Sequence, residues 1–417
     1  MGRSDCSLVL LFAFLLVLAP ALAGDGSTKI RVFGSGQVGG MNVLTRWFTA
    51  EPSTDPLIIP TREFGTVTPD VIRRLMRLYF PRTKEDLLSY DFFFLACVDM
   101  GFFSDRQQTW MREALEYHPK GGINTRSVQG KYDTEWRDSM LDEPFPNDAE
   151  AVLADPDLQH GKVGPVVIVT GDNIPPIMKP FKERLEPIFK AYRDASPILL
   201  TIPRPGSVIL SYTKNREGIG YPIPGQLAHV FYWRWANSTT FTFRDMVTSP
   251  FWNEGGTTNP NVYALDIIAN IIWFSTGREL PSDPFRVHEF RMDLYNFGLR
   301  KSLLVSLLEF TEKFGALPNE EYSALSEIES IQVDASNAYL SAEYDEAHEL
   351  LVSALAGLGG VEDSAMTLKD RTLFWVYVVE WSITTATMLM AGVLVWALMV
   401  KRSMYREVGA TRAPMVE

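Results

Sequence analysis

The sequence predicts an α/β protein with a doubly wound parallel sheet, a helical region after it and one transmembrane helix. Short β-rich runs alternate with helical patterns through residues 29–277, as in chains built from strand–helix–strand units. Helical patterns alone follow Pro284, and an uncharged run from Trp381 to Val400 stands near the carboxyl end. These observations favour the flavodoxin-like class of open sheets, attached to a membrane.

Seven runs are expected to form strands because they are short, rich in β-branched and aromatic residues, and bounded by Gly, Pro or Asp. In chain order they are KIRVF, PLIIPTREF, LLSYDFFFLACVDMG, VGPVVIVTG, SPILLTI, SVILSY and GQLAHVFYWRW. The third run is continuously apolar at its centre, which predicts a strand that is buried on both faces of the sheet.

The helices expected between these strands show apolar residues at helical spacing. In chain order they are MNVLTRWF, TPDVIRRLMRLY, SDRQQTWMREALEYH, KPFKERLEPIFKAYRDA and NVYALDIIANIIWFSTG. Thr68 and Ser104 stand where two of these helices begin and are candidate caps. The Gly121-Gly122 pair is interpreted as the stop signal after the helix that Ser104 opens.

Both ends of the chain predict export and anchoring. Residues 1–23 contain an apolar stretch followed by Ala21-Leu22-Ala23, the cleavage pattern of a signal peptide. The run from Trp381 to Val400 can cross a hydrocarbon core of about 30 Å. Basic residues follow at positions 401, 402 and 406, so the positive-inside preference predicts a single-pass type I protein of the cell membrane. An uncleaved amino-terminal anchor with two spans is the alternative.

The predicted organisation has five parts. They are a signal peptide at 1–23, an α/β domain at 24–284, a helical membrane-proximal stalk at 285–373, a transmembrane helix with its interfacial lead-in at 374–400, and a cytoplasmic tail at 401–417. The tail is too short to form an enzymatic domain.

Composition narrows the classes of partner. The 39 Lys and Arg residues are outnumbered by 51 Asp and Glu residues, and no basic patch occurs, which argues against a nucleic-acid partner. Cys97 is the one cysteine outside the predicted signal peptide, so no internal disulfide is expected. Asn237-Ser238-Thr239 is a sequon that makes Asn237 a candidate glycosylation site.

Any ligand is expected at the carboxyl edge of the sheet, where open α/β sheets collect their ligands. The residues expected there are Gly34, Gly36 and Gly39 of the GSGQVG motif, together with Asp99 and Arg126. A G-x-G-x-x-G motif after a strand also marks dinucleotide sites. Such a site also requires an acidic residue at the end of the second strand. Glu63 stands too far along the sequence to fill that position. The motif is therefore interpreted as a turn for close strand–helix packing, and no cofactor is predicted.

The residues do not predict a catalytic centre. Cys97 lies in an apolar run that disfavours its thiolate, and no G-x-S-x-G elbow occurs. The five histidines lack the spacing of a metal site, and no metal is predicted. Asp99 and Glu63 are the candidates for carboxylate chemistry, and a capping or turn role is the alternative for Asp99.

The segment YDFFFLACVDMGFFSDRQQTWMREALEYHPKGGI and the later YDTEWRDSMLDEPFP resemble the class I glutamine amidotransferase-like superfamily, in a membrane-associated branch related to ThuA-type proteins. The matching positions are Tyr90, Asp91, Gln107, Gln108, Gly121, Gly122, Tyr132, Trp136 and Pro146. The resemblance covers roughly residues 28–280 and implies the fold. The ending EWSITTATMLMAGVLVWALMVKRSMYREV is similar to those of exported single-span proteins from archaea.

The resemblance does not extend to the superfamily's chemistry. Active members carry a G-x-C-x-G nucleophile turn and a downstream H-x-E pair, in which cysteine attacks an amide carbonyl and histidine moves the proton. The stretch INTRSVQG after Gly122 has no cysteine, and no histidine is followed two residues later by Glu. The resemblance therefore implies that glutamine hydrolysis by this catalytic triad is lost.

Three functional hypotheses follow. The first is a non-catalytic, membrane-anchored binding or scaffold module at the cell surface, with a protein partner or small ligand. The second is an extracytoplasmic hydrolase that acts on a sugar or amide through carboxylates such as Asp99 or Glu63. The third is a subunit of a larger membrane complex in which Glu380, just before the span, contacts a partner. A position at headgroup level is the other interpretation of Glu380.

Overall fold

The computed structural model describes residues 29–62, 68–125, 135–149, 163–189, 201–215, 222–223, 226–245, 247, 251–252 and 261–410. The predicted signal peptide, Glu63, Arg126 and most of the SPILLTI run lie outside these residues. The chain divides into two compact units, Met1–Tyr295 with Ala335–His348 and Asn296–Asp334 with Glu349–Glu417.

The described residues form an α/β structure, which confirms the predicted class. The strands are β1 (Ile30–Gln37), β2 (Thr54–Arg62), β3 (Phe92–Ala96), β4 (Gly121–Thr125), β5 (Val163–Ile168), β6 (Val208–Asn215), β7 (Pro222–Ile223), β8 (Gln226–Trp235) and β9 (Ser238–Phe243). The helices are α1 (Val38–Thr49), α2 (Pro69–Tyr79), α3 (Lys84–Leu88), α4 (Asp105–Tyr117), α5 (Lys182–Phe189), α6 (Ala264–Ser275), α7 (Pro284–Lys313), α8 (Asn319–Leu340) and α9 (Tyr344–Ala410).

The strands belong to one mixed sheet in the first unit. Its order is β2-β1-β3-β4-β9-β8-β6-β5, and β7 pairs with β8. The pairs from β2 across to β9 are parallel, whereas the pairs beyond β9 are antiparallel. The predicted parallel sheet is therefore present in five strands, with an antiparallel extension. Across the sheet, β2 lies on one side of β1, whereas β3 and then β4 lie on its other side. The order of the strands therefore reverses between β1 and β3.

Helices cover both faces of the parallel strands. On one face, Phe33, Phe93 and Leu95 pack with apolar residues of α2 and α4. On the other face, the ring of Phe94 meets that of Phe48 in α1, and α6 packs on β4 and β9. Nearly every residue of α6 is buried, as expected of a helix that is apolar all round.

The glycine-rich segment forms strand, not the predicted turn. β1 continues through Gly34 and Gly36 to Gln37, and α1 begins at the next residue. Gly36 has a φ of +153°, and a Cβ at this position would lie 1.8 Å from the carbonyl oxygen of Ala96 in β3. Only glycine permits this approach of the two backbones.

Three other local signals have different outcomes. Ser104 caps α4 through a capping box with Gln107, as expected for Ser at this position. Thr68 precedes α2 without a side-chain capping bond. The Gly121-Gly122 pair begins β4, because α4 ends earlier, at Tyr117. A Cβ at Gly121 would lie 2.3 Å from the ring of Phe92, so glycine is needed here for packing.

A buried charge cluster joins α6, α7 and α8 of the first unit to the segment after α1. The guanidinium of Arg291 in α7 contacts Glu51 Oε2 at 2.6 Å and Asp266 Oδ1 at 2.8 Å, and all three side chains are buried. Tyr339 in α8 donates its hydroxyl to Glu51, and His288 Nδ1 lies 2.7 Å from Asp266 Oδ2. Burial lowers the pKa of Arg291, but the charge of Glu51 and the other acidic groups outweighs it, so the pKa is raised.

The second unit consists of helical segments. Within it, Arg300 forms a two-bond ion pair with Glu362, and Lys301 contacts Glu329 at 2.8 Å. Tyr344–Tyr405 of α9 is long and apolar enough to cross a membrane, and its apolar window is not buried by other parts of the protein. This helix contains the run from Trp381 to Val400 that predicted a span.

We expect Gly36→Ala to lower the free energy of unfolding by about 3 kcal/mol or more, because the new methyl group would overlap the backbone of β3. Gly34→Ala is the matched control two residues earlier, where the Cβ would lie 3.3 Å from the nearest atom, Cγ1 of Ile58, and would not overlap the backbone. Urea unfolding of the full-length protein in detergent measures both. Equal losses in the two variants would contradict the steric argument.

We expect Arg291→Gln to cost about 3–5 kcal/mol, because it leaves the carboxylates of Glu51 and Asp266 buried without a cation. Arg286→Gln is the control on the same helix. Its partner Asp345 is exposed, so the expected cost is at most about 1 kcal/mol. Thermal unfolding monitored by circular dichroism compares the two variants, and a similar shift in both would show that Arg291 is not a structural anchor.

Candidate functional site

The strand register defines one edge of the sheet in the first unit, hereafter the carboxyl edge. The paired residues along it are Gly36, Ala96, Thr125, Phe243, Val230 and Ser211, in that order across β1, β3, β4, β9, β8 and β6. The parallel strands end at or just beyond this line, at the edge where open α/β sheets bind ligands, whereas β8 and β6 extend four residues past it. The reversal of strand order between β1 and β3 lies on the same line.

The structure brings some of the predicted ligand residues to this edge. Gly36 lies on the line itself, and Gly34 lies two residues earlier within β1. Gly39 is in the first turn of α1. Asp99 follows the end of β3, and its Oδ1 accepts a hydrogen bond of 2.9 Å from the backbone N–H of Gly101. This hydrogen bond corresponds to the capping or turn role that was the alternative to carboxylate chemistry for Asp99. Arg126 and Glu63 lie outside the described residues.

Cys97, directly after β3, has an unusual backbone conformation. Its φ is +53°, in the left-handed region that non-glycine residues rarely adopt. Its N–H donates to Thr125 Oγ1 at 3.1 Å, and its sulfur lies 3.4 Å from the same oxygen. The side chain is 1% exposed, so the thiol points into the protein. The prediction of a buried cysteine in an apolar setting therefore agrees with its position.

A chain of three buried side chains lies at the antiparallel end of this edge. Ser211 Oγ is 2.9 Å from His229 Nδ1, and His229 Nε2 is 2.9 Å from Asp245 Oδ2. A carboxylate accepts hydrogen bonds, which assigns the ring proton to Nε2 and leaves Nδ1 to accept the serine hydroxyl. This polar relay, Ser211–His229–Asp245, joins β6, β8 and the segment after β9. It has the residue types of a base-activated hydroxyl.

A buried arginine accompanies the polar relay. The guanidinium of Arg244, next to Asp245, donates to the hydroxyl of Thr213. Burial lowers the pKa of Arg244 to about 10, and the charge of Asp245 opposes that shift. Thr213 stands two residues after Ser211 in β6, so both hydroxyls lie on the same face of the strand.

Aromatic rings close the polar relay off from solvent. Phe251 meets the His229 ring at 4.5 Å between centroids, and Trp252 stacks on it at 6.3 Å. Trp252 in turn contacts Trp47 of α1. Ser211 and His229 are 0% exposed. Asp245 Oδ1 has no hydrogen-bond partner within the described residues, so the relay contains a buried acceptor with unused capacity.

The sequence did not predict the polar relay, because its members are separated by 16 and 18 residues and belong to three different segments. Strand register alone brings them together. The available signal was His229 itself, since a histidine within the apolar run QLAHVFYW requires a polar partner once it is buried. Among the described residues, no group of three or more His, Cys, Asp or Glu side chains is arranged to hold a metal ion.

Two further predicted residues are not part of the carboxyl edge. Asn237 is in the turn between β8 and β9, at the opposite edge of the sheet, where it is exposed and donates to the carbonyl of Glu116. Glu380 belongs to the second unit and lines a groove beside α9. The aromatic run at residues 231–243 forms strands, and Phe231, Tyr232, Phe241 and Phe243 are buried in them.

Comparison of the chain with protein-family models, with curated proteins and with solved structures gives no match.

We expect Trp252→Ala to raise the rate at which diethylpyrocarbonate modifies His229 by tenfold or more, because the substitution removes the ring stacked on the imidazole. His118, which is partly exposed in the native protein, is the internal reference and should not change. Peptide mass spectrometry measures both sites, and circular dichroism verifies that the variant stays folded. Rapid modification of His229 in the unaltered protein would contradict the closed arrangement.

Proposed function

We propose that the chain is a membrane-anchored, non-catalytic binding module whose α/β domain binds a protein partner or small ligand at the carboxyl edge. In this proposal the domain has the flavodoxin-like fold of the glutamine amidotransferase-like superfamily. The order β2-β1-β3-β4, followed by β9 as a fifth parallel strand, supports that fold. The α9 helix supplies the anchor, with the α/β domain outside the cell.

One observation carries the non-catalytic part of the proposal. The reactive groups at the carboxyl edge are engaged in holding the structure. The hydroxyl and imidazole of the polar relay are sealed beneath Phe251 and Trp252, and the carboxylate of Asp99 binds a backbone amide. A general base must come within hydrogen-bond reach of its substrate. A sealed relay favours a role in packing, with ligand contacts made by the surface around it.

Site-specific photocrosslinking tests the position of the partner surface. We expect p-benzoylphenylalanine in place of Phe102, in the turn after β3, to form adducts in native membranes. The same replacement of Tyr117 is the matched control, because this exposed aromatic residue ends α4 at the opposite edge of the sheet. The expected difference in adduct yield is at least fivefold. Equal yields at the two positions would argue against a partner at the carboxyl edge.

A hydrolase is the second candidate, and the contacts that favour it are the two 2.9 Å distances of the polar relay. In that function the Ser211 hydroxyl would attack an ester or amide carbonyl as its proton passes to His229 Nδ1. The leaving group would take this proton, and water would then release the acyl group from the serine. This requires the cover formed by Phe251 and Trp252 to open.

A fluorophosphonate probe separates the two candidates, because it labels base-activated serines covalently. The binding-module proposal predicts no labelling of the full-length protein above that of Ser211→Ala. Labelling that disappears in Ser211→Ala, and persists in the control Ser207→Ala on the same segment, would establish the hydrolase instead.

A further inference from the structure

A groove in the second unit lies beside the helix that is able to cross a membrane. It has a volume of about 560 Å³, within the range of small-molecule sites. One wall is the segment between α7 and α8, including Phe314 and Ala316. The other wall is a face of α9 that includes Leu368, Arg371, Val376 and Glu380.

The position of the groove along α9 matches the outer boundary of a membrane. The uncharged run begins at Trp381, directly after Glu380 at one end of the groove. Trp375 also lines the groove and is 57% exposed, as expected of an aromatic residue at headgroup level. Arg371 lies four residues further from the span, about 6 Å along the helix axis. The groove thus extends from the edge of the hydrocarbon to the outer headgroup layer.

The side chains around the groove suit an amphiphile with a negative headgroup. Arg371 is exposed and, in the part of the chain that the structure describes, makes no ion pair. Its guanidinium has the fork of donors that binds phosphate through two oxygens. Val376 and Val379 form an apolar wall between Arg371 and the span, and Leu368 lines the groove on the other side of Arg371. On the adjacent loop, Phe314 is 44% and Leu317 is 81% exposed, so large apolar side chains surround the entrance.

We propose that this groove binds one anionic phospholipid of the outer leaflet, with its phosphate on Arg371 and an acyl chain along the apolar wall of α9. Phe314 and Leu317 enter the headgroup layer beside it. Glu380 lies nine residues from Arg371, about 13 Å along the axis, so its carboxylate does not oppose the phosphate directly. This inference rests on the proposed membrane anchor and adds a lipid class to it.

The test uses the full-length protein in vesicles of phosphatidylcholine with a minor share of phosphatidylglycerol. After gentle extraction, native mass spectrometry measures which lipid stays bound. We expect phosphatidylglycerol to be retained in preference to phosphatidylcholine, and Arg371→Gln to reduce this retention about tenfold. Lys369→Gln is the matched control, because it removes the same charge two residues away, outside the groove, where Lys369 contacts Asp370. That control should retain the lipid.

Three results would overturn the lipid site. They are no preference for phosphatidylglycerol in the unaltered protein, an equal loss in Lys369→Gln, and displacement of the lipid by inorganic phosphate, which would indicate a site for free anions.

An alkaline carbonate wash of the vesicles distinguishes failure of the lipid site from failure of the anchor. Protein that stays in the vesicles but shows no lipid preference lacks the site and keeps the anchor. Protein that the wash releases lacks the anchor, and the lipid proposal is then overturned with it.

Discussion

The buried charge of Arg291 is the constraint on which the first unit depends. A guanidinium that is 1% exposed is stable in a protein interior only if anions surround it, and here Glu51 and Asp266 do so at hydrogen-bond distance. Glu51 follows α1, Asp266 is in α6 and Tyr339 is in α8, so each of these elements must arrive in one arrangement for the charges to balance. Apolar packing alone tolerates small displacements, whereas an ion cluster with fixed geometry does not.

Local patterns in the sequence were sufficient for most elements of the fold, and long-range contacts explain the differences. Ser104 begins α4 as its residue type predicts, because a capping box involves only neighbours in the chain. Gly36 was expected in a turn but lies in a strand. Glycine is needed there because a side chain would overlap the backbone of Ala96 in the neighbouring strand, a contact that the local sequence does not show. Likewise, Gly121 leaves space for the ring of Phe92 in the neighbouring strand, and the sequence around Gly121 gives no sign of this contact.

The candidate site could be predicted less well than the fold. Ligands of open α/β sheets bind at the carboxyl ends of the strands, and this rule predicted the carboxyl edge as the site. Gly36 and Asp99 lie at this edge as expected. The polar relay was missed, because each of its members looks ordinary in its own segment and only the antiparallel register makes Ser211 a neighbour of His229. Arg291 was missed for the same reason, since its two anions are far away in the chain.

The pairing of β4 with β9 has a consequence for the order in which the protein is made. Thr242 in β9 bonds to Asn124 in β4 across a separation of 118 residues. At ordinary rates of synthesis this separation takes on the order of ten seconds to translate. Throughout that interval one side of β4 exposes backbone donors and acceptors that the finished sheet covers. The first four strands therefore cannot complete their own sheet, and closing so long a loop makes this pairing a slow step of folding.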